Sequence, residues 1–275
     1  MKLTDQVVVV TGGGNGIGRE VVLTLLARGA RVAALDLRPE GLAETASLAN
    51  AGDRLSTHAV DVTDREAVCA LADAVSTIHG RVDALINVAG IIQPFVRFAE
   101  LSREQIENVM NVNFWGVVWT CQAFLPLIRQ RPQGAIVNVS SMGGFVPVPG
   151  QTAYGASKAA VKLLTEGLYA ELRGTGVAVT VVYPGGVSTH ITENSGVEMP
   201  GGAARSAPAQ GSAPGKGSAA MTTPQAAAEQ IVAGLEKGSY RVVIGKDARM
   251  LDLLTRLMPQ RATNLVAKKM SDLLG

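Results

Sequence analysis

Tyr154 and Lys158 stand four residues apart in the stretch Tyr-Gly-Ala-Ser-Lys, and together they could move a proton. On a helix this spacing places both side chains on one face, a single turn apart. A phenol with its ordinary pKa of about 10 is a poor acid or base at neutral pH, but a neighbouring ammonium favours the phenolate and lowers that pKa. We therefore expect Tyr154 to be a general acid/base toward a carbonyl or an alcohol, with Lys158 lowering its pKa.

Two serines, Ser140 and Ser141, precede this pair at the end of an apolar run. A hydroxyl at the end of a buried strand could bond a substrate oxygen and stabilise the charge that develops on it. We predict that role for Ser141 and a structural role for Ser140.

A glycine-rich turn near the start of the chain, residues 11–18, has the context of a phosphate-binding loop. An apolar run, Val7 to Val10, predicts a buried parallel strand before it, and helical spacing of apolar residues follows it. Glycines allow a tight turn and a close approach to a pyrophosphate, whose charge meets the helix N-terminus. The predicted contacts in this loop are Gly12, Asn15, Gly16, Ile17 and Gly18.

Asp36 ends the next predicted strand, eighteen residues beyond Gly18, and it bears on the choice of cofactor. A carboxylate there accepts hydrogen bonds from a free ribose 2′-hydroxyl and repels a 2′-phosphate. Asn15 adds no positive charge to offset that repulsion, whereas Arg38, two residues on, could reach a phosphate. The sequence therefore favours NAD over NADP and leaves NADP open.

Strand-like and helix-like patterns alternate along most of the chain. The predicted strands lie near 6–11, 31–36, 56–61, 83–88, 134–140, 177–183 and 241–244. The predicted helices lie near 17–28, 39–50, 65–79, 103–130, 153–173 and 224–236. This alternation predicts one α/β domain over residues 1–275, a doubly wound, parallel, seven-stranded sheet of the Rossmann type with helices on both faces. Ligands of such sheets bind at the carboxyl ends of the strands, where the candidate residues fall.

With these motifs in order, the chain resembles the short-chain dehydrogenase/reductase family in its short, single-domain form. The matching positions run from residue 3 to about 190, and Ser141 precedes Tyr154 by thirteen residues, as in that family. They are Thr11-Gly12-x-x-x-Gly16-x-Gly18, Asp61-Val62, Asn87-Val88-Ala89-Gly90, Asn113, Ser141, Tyr154-x-x-x-Lys158 and Pro184-Gly185-Gly186-Val187-Ser188-Thr189.

The resemblance implies roles that the residue types alone do not give. It implies that Asn113 orders a water beside Lys158 in a proton relay, and that Lys158 also holds the nicotinamide ribose. It implies contacts of Asp61 and Val62 with adenine and of Thr189 with the carboxamide. The further implied cofactor contacts are Asn87, Ala89, Gly90, Tyr154, Pro184, Gly185 and Val187. It also implies a homodimer or homotetramer, built on the helices near 103–130 and 153–173.

Composition narrows the class of protein. Hydrophobic residues make up 47% of the 275 residues and the net charge is only +2, so nothing in the overall charge indicates a nucleic-acid partner. Two cysteines without metal-ligand or disulfide spacing predict neither a zinc site nor a disulfide framework, which favours a reducing, cytoplasmic location. The apolar run at the N-terminus is too short for a signal peptide.

Two segments outside the motifs concern substrate and location. Residues 190–222 are predicted to be a flexible substrate loop, since twenty of the 27 residues from 194 to 220 are Gly, Ala, Ser or Pro. Residues 245–275 are predicted to be a basic amphipathic extension. Such a helix could contact an anionic membrane peripherally, or pack on its own domain or on a sister subunit.

The expected substrate is a lipophilic secondary alcohol or ketone. Candidate contacts beside Ser141 and Tyr154 are Gln93, Phe145 and Val148, and the pocket positions are apolar apart from Gln93. Two alternatives remain open: an NADPH-dependent 3-oxoacyl reductase of fatty-acid synthesis, and a non-enzymatic dinucleotide-binding module.

Overall fold

The computed structural model describes residues 1–189, 191–197 and 221–274, apart from the side chain of Asp272. Most of the predicted flexible loop therefore lies outside the described residues. Within them, seven parallel strands form one sheet in the order β3-β2-β1-β4-β5-β6-β7. The strands are β1 (Val7–Thr11), β2 (Arg31–Asp36), β3 (Leu55–Ala59), β4 (Ala84–Asn87), β5 (Gly134–Val139), β6 (Val177–Pro184) and β7 (Arg241–Ile244).

The helices are α1 (Gly16–Ala27), α2 (Pro39–Ala49), α3 (Arg65–His79), α4 (Arg103–Met110), α5 (Gly116–Ile128), α6 (Thr152–Glu171), α7 (Ile191–Asn194), α8 (Pro224–Lys237), α9 (Lys246–Leu257) and α10 (Pro259–Lys269). The helices α1 to α8 lie between consecutive strands and cover both faces of the sheet, and α9 and α10 follow the last strand. Alternate residues of one strand enter different cores: Val8 and Val10 pack with α1 and α8, whereas Val7 and Val9 pack with α3, α5 and α6. The predicted doubly wound α/β fold is confirmed.

The strand order reverses between β1 and β4, which both adjoin the centre of the sheet. The loops after these two strands run in opposite directions and leave a crevice at the carboxyl edge. The glycine turn follows β1 and the Asn87 to Gly90 stretch follows β4. The fold therefore brings both motifs to this crevice.

The helix predicted over 103–130 is continuous in direction but not in hydrogen bonding. A π-helical segment, Asn111–Trp115, separates α4 from α5. Asn113 lies in the middle of this segment and is fully buried. One wider turn at a buried asparagine is typical of a functional position.

The C-terminal extension forms two helices rather than the single amphipathic helix that was expected. Met258 leaves the helical conformation, with φ −143° and ψ 69°, and Pro259 starts α10, because proline cannot continue the preceding helix. Leu251 of α9 and Val266 of α10 are buried against Val146, with Met142 partly buried beside them. The extension thus packs on its own domain, next to the turn that follows Ser141.

Candidate active site

Tyr154 lies in the first turn of α6, and its position is fixed by contacts from the loop after β4. Its backbone N–H donates to Gln93 Oε1 at 2.9 Å. Burial raises the pKa of its phenol above the usual value, and the neighbouring Ser141 hydroxyl, which lowers that pKa, has the smaller effect. The hydroxyl is therefore protonated at neutral pH in the free protein.

Ser141 follows β5 and caps a short 3₁₀ turn, Met142–Gly144. Its Oγ accepts the N–H of Gly143 at 3.1 Å, which directs the hydroxyl toward Tyr154. Ser140 instead donates to the backbone carbonyl of Lys158 at 2.7 Å, deep in the protein. The two serines therefore divide as expected, one facing the tyrosine and one bracing α6.

Lys158 is almost fully buried, with 4% of its surface exposed. Its Nζ donates to the carbonyl of Val139 at 3.1 Å and lies 5.9 Å from the centre of the Tyr154 ring. Burial lowers its pKa from 10.5 to about 8. The expected lowering of the Tyr154 pKa by this ammonium is not found, because the Nζ atom is turned to Val139 and the dominant influence on the phenol is burial.

Asn113 ties the loop after β4 to α6. Its Oδ1 accepts from Ile91 N at 2.8 Å, and its Nδ2 donates to Ile91 O and to Ser157 Oγ, both at 2.9 Å. Ser157 Oγ in turn donates to the carbonyl of Tyr154. The Asn113 side chain therefore links the loop after β4 to α6, where its partner Ser157 directly precedes Lys158.

Gly90 lies in a tight space between two polar side chains. A Cβ atom there would lie 3.0 Å from Lys158 Nζ and 3.2 Å from Asn113 Oδ1. The backbone at this point therefore approaches the two polar groups closely. Asn113 and Lys158 therefore lie beside Gly90, whereas Ser141 and Tyr154 lie beside Gly143.

The glycine turn has the geometry of an anion cradle. Gly12 and Gly16 have φ of +71° and +51°, which a residue with a side chain rarely adopts, and a Cβ on Gly18 would clash with the Gly12 carbonyl. Asn15 caps α1 without a side-chain hydrogen bond to its first turn, and that turn carries no acidic residue. Its free backbone N–H groups, including the one at Ile17, fit the pyrophosphate of a dinucleotide.

Asp36 is fixed against this turn. Its two carboxylate oxygens accept from Gly14 N and Arg38 N, both at 3.0 Å. The Arg38 guanidinium does not pair with this carboxylate and donates instead to Asn194 Oδ1 at 2.6 Å. The Asp36 carboxylate is therefore held in place after β2, and the Arg38 guanidinium points away from it.

The residues after β3 and β4 line the crevice, and most of them do so through their backbone. Thr11 Oγ1 accepts from Val88 N and Ala89 N at 3.0 and 3.1 Å, which fixes the floor of the crevice. A narrow cleft there is lined by Thr11, Val62, Asn87, Ala89, Val112, Gly116 and Val117. The Asp61 carboxylate accepts from Thr63 N at 2.8 Å. Asn87 is buried with its amide bonded to Asn138 and Thr120, so its side chain braces the sheet.

The turn after β6, from Pro184 to Thr189, lies across the crevice from the glycine turn. A Cβ atom on Gly16 would lie 3.7 Å from Thr189 Cγ2, so these two turns face each other closely. Val187 pairs with Thr222, which ties the turn to the start of α8. Thr189 therefore lies against the glycine turn, at the mouth of the crevice.

Asp247 was missed by the sequence analysis. It lies in the first turn of α9, and its carboxylate accepts from Gly186 N at 2.7 Å. A Cβ on Gly185 would clash with the same carboxylate, so a glycine is needed at position 185 for this contact. An acidic residue at a helix start after the last strand was the available signal, but no motif marked it.

Gln93 has a different role from the expected substrate contact. It is 1% exposed, its Nε2 donates to Gly150 O at 3.0 Å and its Oε1 accepts from Tyr154 N. Both ends of its amide are thus used inside the protein. Phe145 packs edge-on against the Tyr183 ring at 5.4 Å, and Val148 is partly exposed.

The family of the chain is shown by comparison with known proteins. A model of the short chain dehydrogenase family matches residues 6–199. A Mycobacterium tuberculosis protein that bears the oxidoreductase name SadH is 40% identical over 276 residues, covering 95% of this chain and 94% of its own length. The chain belongs to the short-chain dehydrogenase family. It is an NAD(P)-dependent oxidoreductase of that family.

Two solved structures of similar proteins carry different cofactors. A short-chain dehydrogenase/reductase of Burkholderia phymatum in complex with NAD is 25% identical, with a TM-score of 0.80 and coverage of 94% of this chain and 96% of that one. A short-chain dehydrogenase of Burkholderia cenocepacia in complex with NADP is 28% identical, with a TM-score of 0.78 and coverage of 97% and 99%. The comparisons therefore leave the choice between the two dinucleotides to the residues around Asp36.

No described helix is long and apolar enough to cross a membrane. In the same part of the chain, no three His, Cys, Asp or Glu side chains are grouped as ligands for a metal ion. The titratable groups that lie together in the crevice are instead Tyr154 and Lys158.

Proposed function

We propose that this enzyme interconverts a lipophilic secondary alcohol and its ketone, with Tyr154 as general acid/base and NAD as cofactor. The observation that carries the proposal is the placement of Tyr154 and Ser141 around Gly143: a Cβ atom on that glycine would lie 3.4 Å from Tyr154 Cε1 and 3.5 Å from Ser141 Oγ. The Nζ atom of the buried Lys158 lies 5.9 Å from the centre of the Tyr154 ring. A phenol and a hydroxyl this close together can both reach one substrate oxygen.

The bound nicotinamide accepts or supplies the hydride. In the direction of reduction, the Tyr154 hydroxyl gives its proton to the carbonyl oxygen as that oxygen becomes an alcohol. The raised pKa of Tyr154 suits this donation, because the phenol is protonated at neutral pH. The Ser141 hydroxyl hydrogen-bonds the same oxygen and stabilises the charge on it. In oxidation the phenolate form of Tyr154 takes up the proton of the alcohol.

The turns around the crevice fit the proposed dinucleotide. The uncapped first turn of α1 would hold the pyrophosphate, and the Asp36 carboxylate would accept from the adenosine ribose. A 2′-phosphate would meet that carboxylate and be repelled. Arg38 does not offset the repulsion while its guanidinium is bonded to Asn194. These contacts support NAD over NADP.

The substrate side supports a lipophilic molecule. Met142, Phe145 and Val146 follow Ser141 directly, and Leu251 and Val266 of the C-terminal helices pack on them. With Gln93 used internally, Val148 and Phe145 are the expected substrate contacts beside the catalytic pair. An apolar wall of this kind favours a substrate without a carboxylate or a phosphate.

Cofactor binding and turnover test this proposal together. NADH should bind more tightly than NADPH, and Asp36→Ala should reduce or reverse that preference. Tyr154→Phe should lower kcat for secondary alcohols by about 1,000-fold or more while NADH still binds, because only the proton transfer is removed. Tighter binding of NADPH by the unsubstituted protein would instead favour the reductive, biosynthetic alternative. Full turnover by Tyr154→Phe would exclude Tyr154 as the acid/base.

Exposed apolar side chains support a homo-oligomer. Trp115 next to α5 and Leu163 and Tyr169 on α6 are exposed in the single chain, at 41%, 68% and 38%. These helices are the ones on which a dimer or tetramer was expected. Sedimentation of the protein at micromolar concentration should give at least twice the monomer mass of 28.5 kDa.

The location and the surface of the extension are also proposals. Both cysteines are free, Cys69 exposed and Cys121 buried, which supports the predicted reducing cytoplasm. On α9, Met250, Leu253 and Leu257 form an exposed apolar stripe, with Arg249 and Arg256 beside it. This arrangement fits peripheral contact with an anionic membrane surface.

A further inference from the structure

The first turn of α6, which carries Tyr154, is capped by a side chain from another part of the chain. The residue at its N-cap, Gln151, makes no side-chain hydrogen bond to this turn. The first N–H groups of a helix have no partner within the helix and need acceptors from elsewhere. One acceptor comes from Gln93, 61 residues away, whose Oε1 accepts from Tyr154 N at 2.9 Å. The cap of α6 therefore depends on the loop after β4.

Two further hydrogen bonds join the same two segments. Gln93 Nε2 donates to Gly150 O at 3.0 Å, and Gln151 Nε2 donates to Gln93 O at 2.8 Å. Both glutamines are buried, with 1% and 4% of their surfaces exposed. Gly150 has a φ of +77°, and a Cβ atom there would lie 3.4 Å from Phe95 Cα, so the two backbones approach closely. Three hydrogen bonds of two buried amides thus tie the loop to the start of the helix.

The loop that supplies this cap also contacts the other polar groups of the site. At Gly90, a Cβ atom would lie 3.0 Å from Lys158 Nζ. Ile91 donates through its N–H to the Asn113 side chain and accepts from it through its carbonyl. Gln93 follows two residues later and contacts the tyrosine. One short stretch of chain therefore contacts the lysine, the asparagine and the tyrosine in turn.

We propose that Gln93 is a positioning residue that sets where the Tyr154 hydroxyl lies relative to the crevice. The inference rests on the proposed function, since it takes Tyr154 as the group that transfers the proton. Gln93 acts through the backbone N–H of the tyrosine and not through the substrate. Because the loop after β4 lines the crevice, this contact fixes the phenol to the crevice floor. Proton transfer depends steeply on distance, and a displacement of about 1 Å can lower a rate about 100-fold.

The primary amide suits this role because it is an acceptor and a donor at once. Tyr154 N requires an acceptor, and Gly150 O requires a donor. A protonated carboxyl group can satisfy both, whereas a carboxylate satisfies the first and repels the second. Gln93→Glu therefore makes the contact depend on pH. Burial disfavours the charged form, so the pKa of that carboxyl should lie above its ordinary value of about 4.3.

The experiment measures kcat for the reduction of octan-2-one by NADH, together with the Kd of NADH in the same samples. Only protein that binds NADH is counted, so that unfolded chains do not lower the rate. Gln93→Met removes both hydrogen bonds of the amide, and it should lower kcat about 10- to 100-fold while the Kd changes by less than about twofold. Thr152→Ala, at an exposed position in the same turn, is the matched control and should keep the unsubstituted kcat.

Gln93→Glu gives a readout that a purely structural side chain would not move. Its kcat is compared with that of the unsubstituted protein at each pH, from about pH 5.5 to about pH 8. The ratio should be close to one at the acid end, where the carboxyl group is protonated. It should fall toward the value for Gln93→Met as the carboxyl ionises and its hydrogen bond to Gly150 O is lost. A ratio that stays constant with pH would contradict the proposal.

The remaining outcomes separate the positioning role from the proposed function. A kcat for Gln93→Met within about twofold of the unsubstituted value, with Tyr154→Phe inactive, would overturn the positioning role alone. A rise in the Kd of NADH that matches the loss of kcat would assign Gln93 to cofactor binding instead. Full turnover by Tyr154→Phe would overturn the proposed function and the positioning role with it. If Gln93→Met does not fold, Gln151→Met removes one of the three bonds and should lower kcat to a smaller extent, and an unchanged kcat there would count against the proposal.

Discussion

The charge of the buried Lys158 ammonium lies next to the catalytic tyrosine, but its burial lowers the free energy of unfolding. It is buried and donates to the carbonyl of Val139, and burial lowers its pKa from 10.5 to about 8. At pH 7 the folded and unfolded chains both carry the charge, so the full cost of burying it is present. Between pH 8 and 10.5 the unfolded chain binds more protons, and this part of the stability rises with pH.

Lys158→Met tests that sign. At pH 7 the variant should be more stable than the unsubstituted protein by about 2–3 kcal/mol, seen as a higher Tm, while its activity is lost. The advantage should shrink as the pH is raised from 8 toward 10.5, because the lysine then becomes neutral in the fold. A variant that is less stable at both pH 7 and pH 10 would mean that the bond to Val139 outweighs the buried charge.

At this scale the sequence predicts which side chains meet, but not how each is directed. The four-residue spacing brought Lys158 beside Tyr154, yet the Nζ atom turns to Val139, and burial rather than the ammonium dominates the phenol's pKa. Gln93 was expected at the substrate and instead braces Tyr154 N. Both outcomes depend on backbone atoms from another strand or loop, which no local pattern contains.

At the scale of elements, two histidines, one on β3 and one on α3, are both hydrogen-bonded to the hydroxyl of Ser56. Ser56 Oγ lies 2.9 Å from His58 Nε2 and 2.8 Å from His79 Nε2, and Arg31 Nε lies 3.4 Å from His79 Nδ1. Burial lowers the pKa of His58. Burial, then Arg31, then His58 lower the pKa of His79. Protonating either ring would place a charge in a poorly solvated site already next to a guanidinium.

This cluster predicts acid sensitivity. For a histidine whose pKa is lowered in the fold, the stability it contributes is complete above its unfolded pKa of about 6.5 and falls as the pH drops below that value. Urea unfolding between pH 7.5 and 5.5 should show that decline. The double variant His58→Gln/His79→Gln should have a flatter profile over the same range. Equal slopes in both proteins would assign the acid sensitivity to other groups.

The start of α9 and the turn after β6 act together through Asp247. Its bond to Gly186 N fixes the turn that carries Thr189. Asp247→Ala should raise KM for the cofactor about 10-fold, because the turn loses its anchor, whereas Asp247→Asn keeps an acceptor and should lie in between. Steady-state kinetics with varied cofactor gives these values. The neighbouring, exposed Lys246→Ala is the control, and a KM for Asp247→Ala equal to that control would remove the anchor role.

Element positions were predictable where burial is uniform and less so where a single residue breaks the pattern. The strands agree with their predicted ranges to within about two residues, since buried parallel strands are short apolar runs bounded by polar turns. The predicted helix over 103–130 missed the π segment at Asn113, whose amide bonds to a loop distant in sequence. The break at Pro259 was visible as a proline, but the apolar periodicity on either side masked it.

At the scale of the whole molecule, the C-terminal extension covers the turn that follows Ser141. The sequence left open whether this segment packs on its own domain, because an amphipathic helix looks the same against a core or a membrane. The structure has it covering Val146 and Met142, with Leu251 buried and Leu253 on the opposite, exposed side. The inner face of the extension is thus part of a hydrophobic core, and its outer face is exposed.

Two substitutions two residues apart separate those faces. Leu251→Asp places a charge in the packed interface and should lower the free energy of unfolding by several kcal/mol, and it should weaken binding of apolar substrates. Leu253→Asp changes only the exposed stripe, so its Tm and kcat should match the unsubstituted protein. Because the stripe is flanked by Arg249 and Arg256, the same substitution should abolish co-sedimentation with anionic vesicles. Vesicle binding that survives Leu253→Asp would exclude the stripe as the membrane contact. Loss of the oligomer in that variant would instead identify the stripe as a subunit interface.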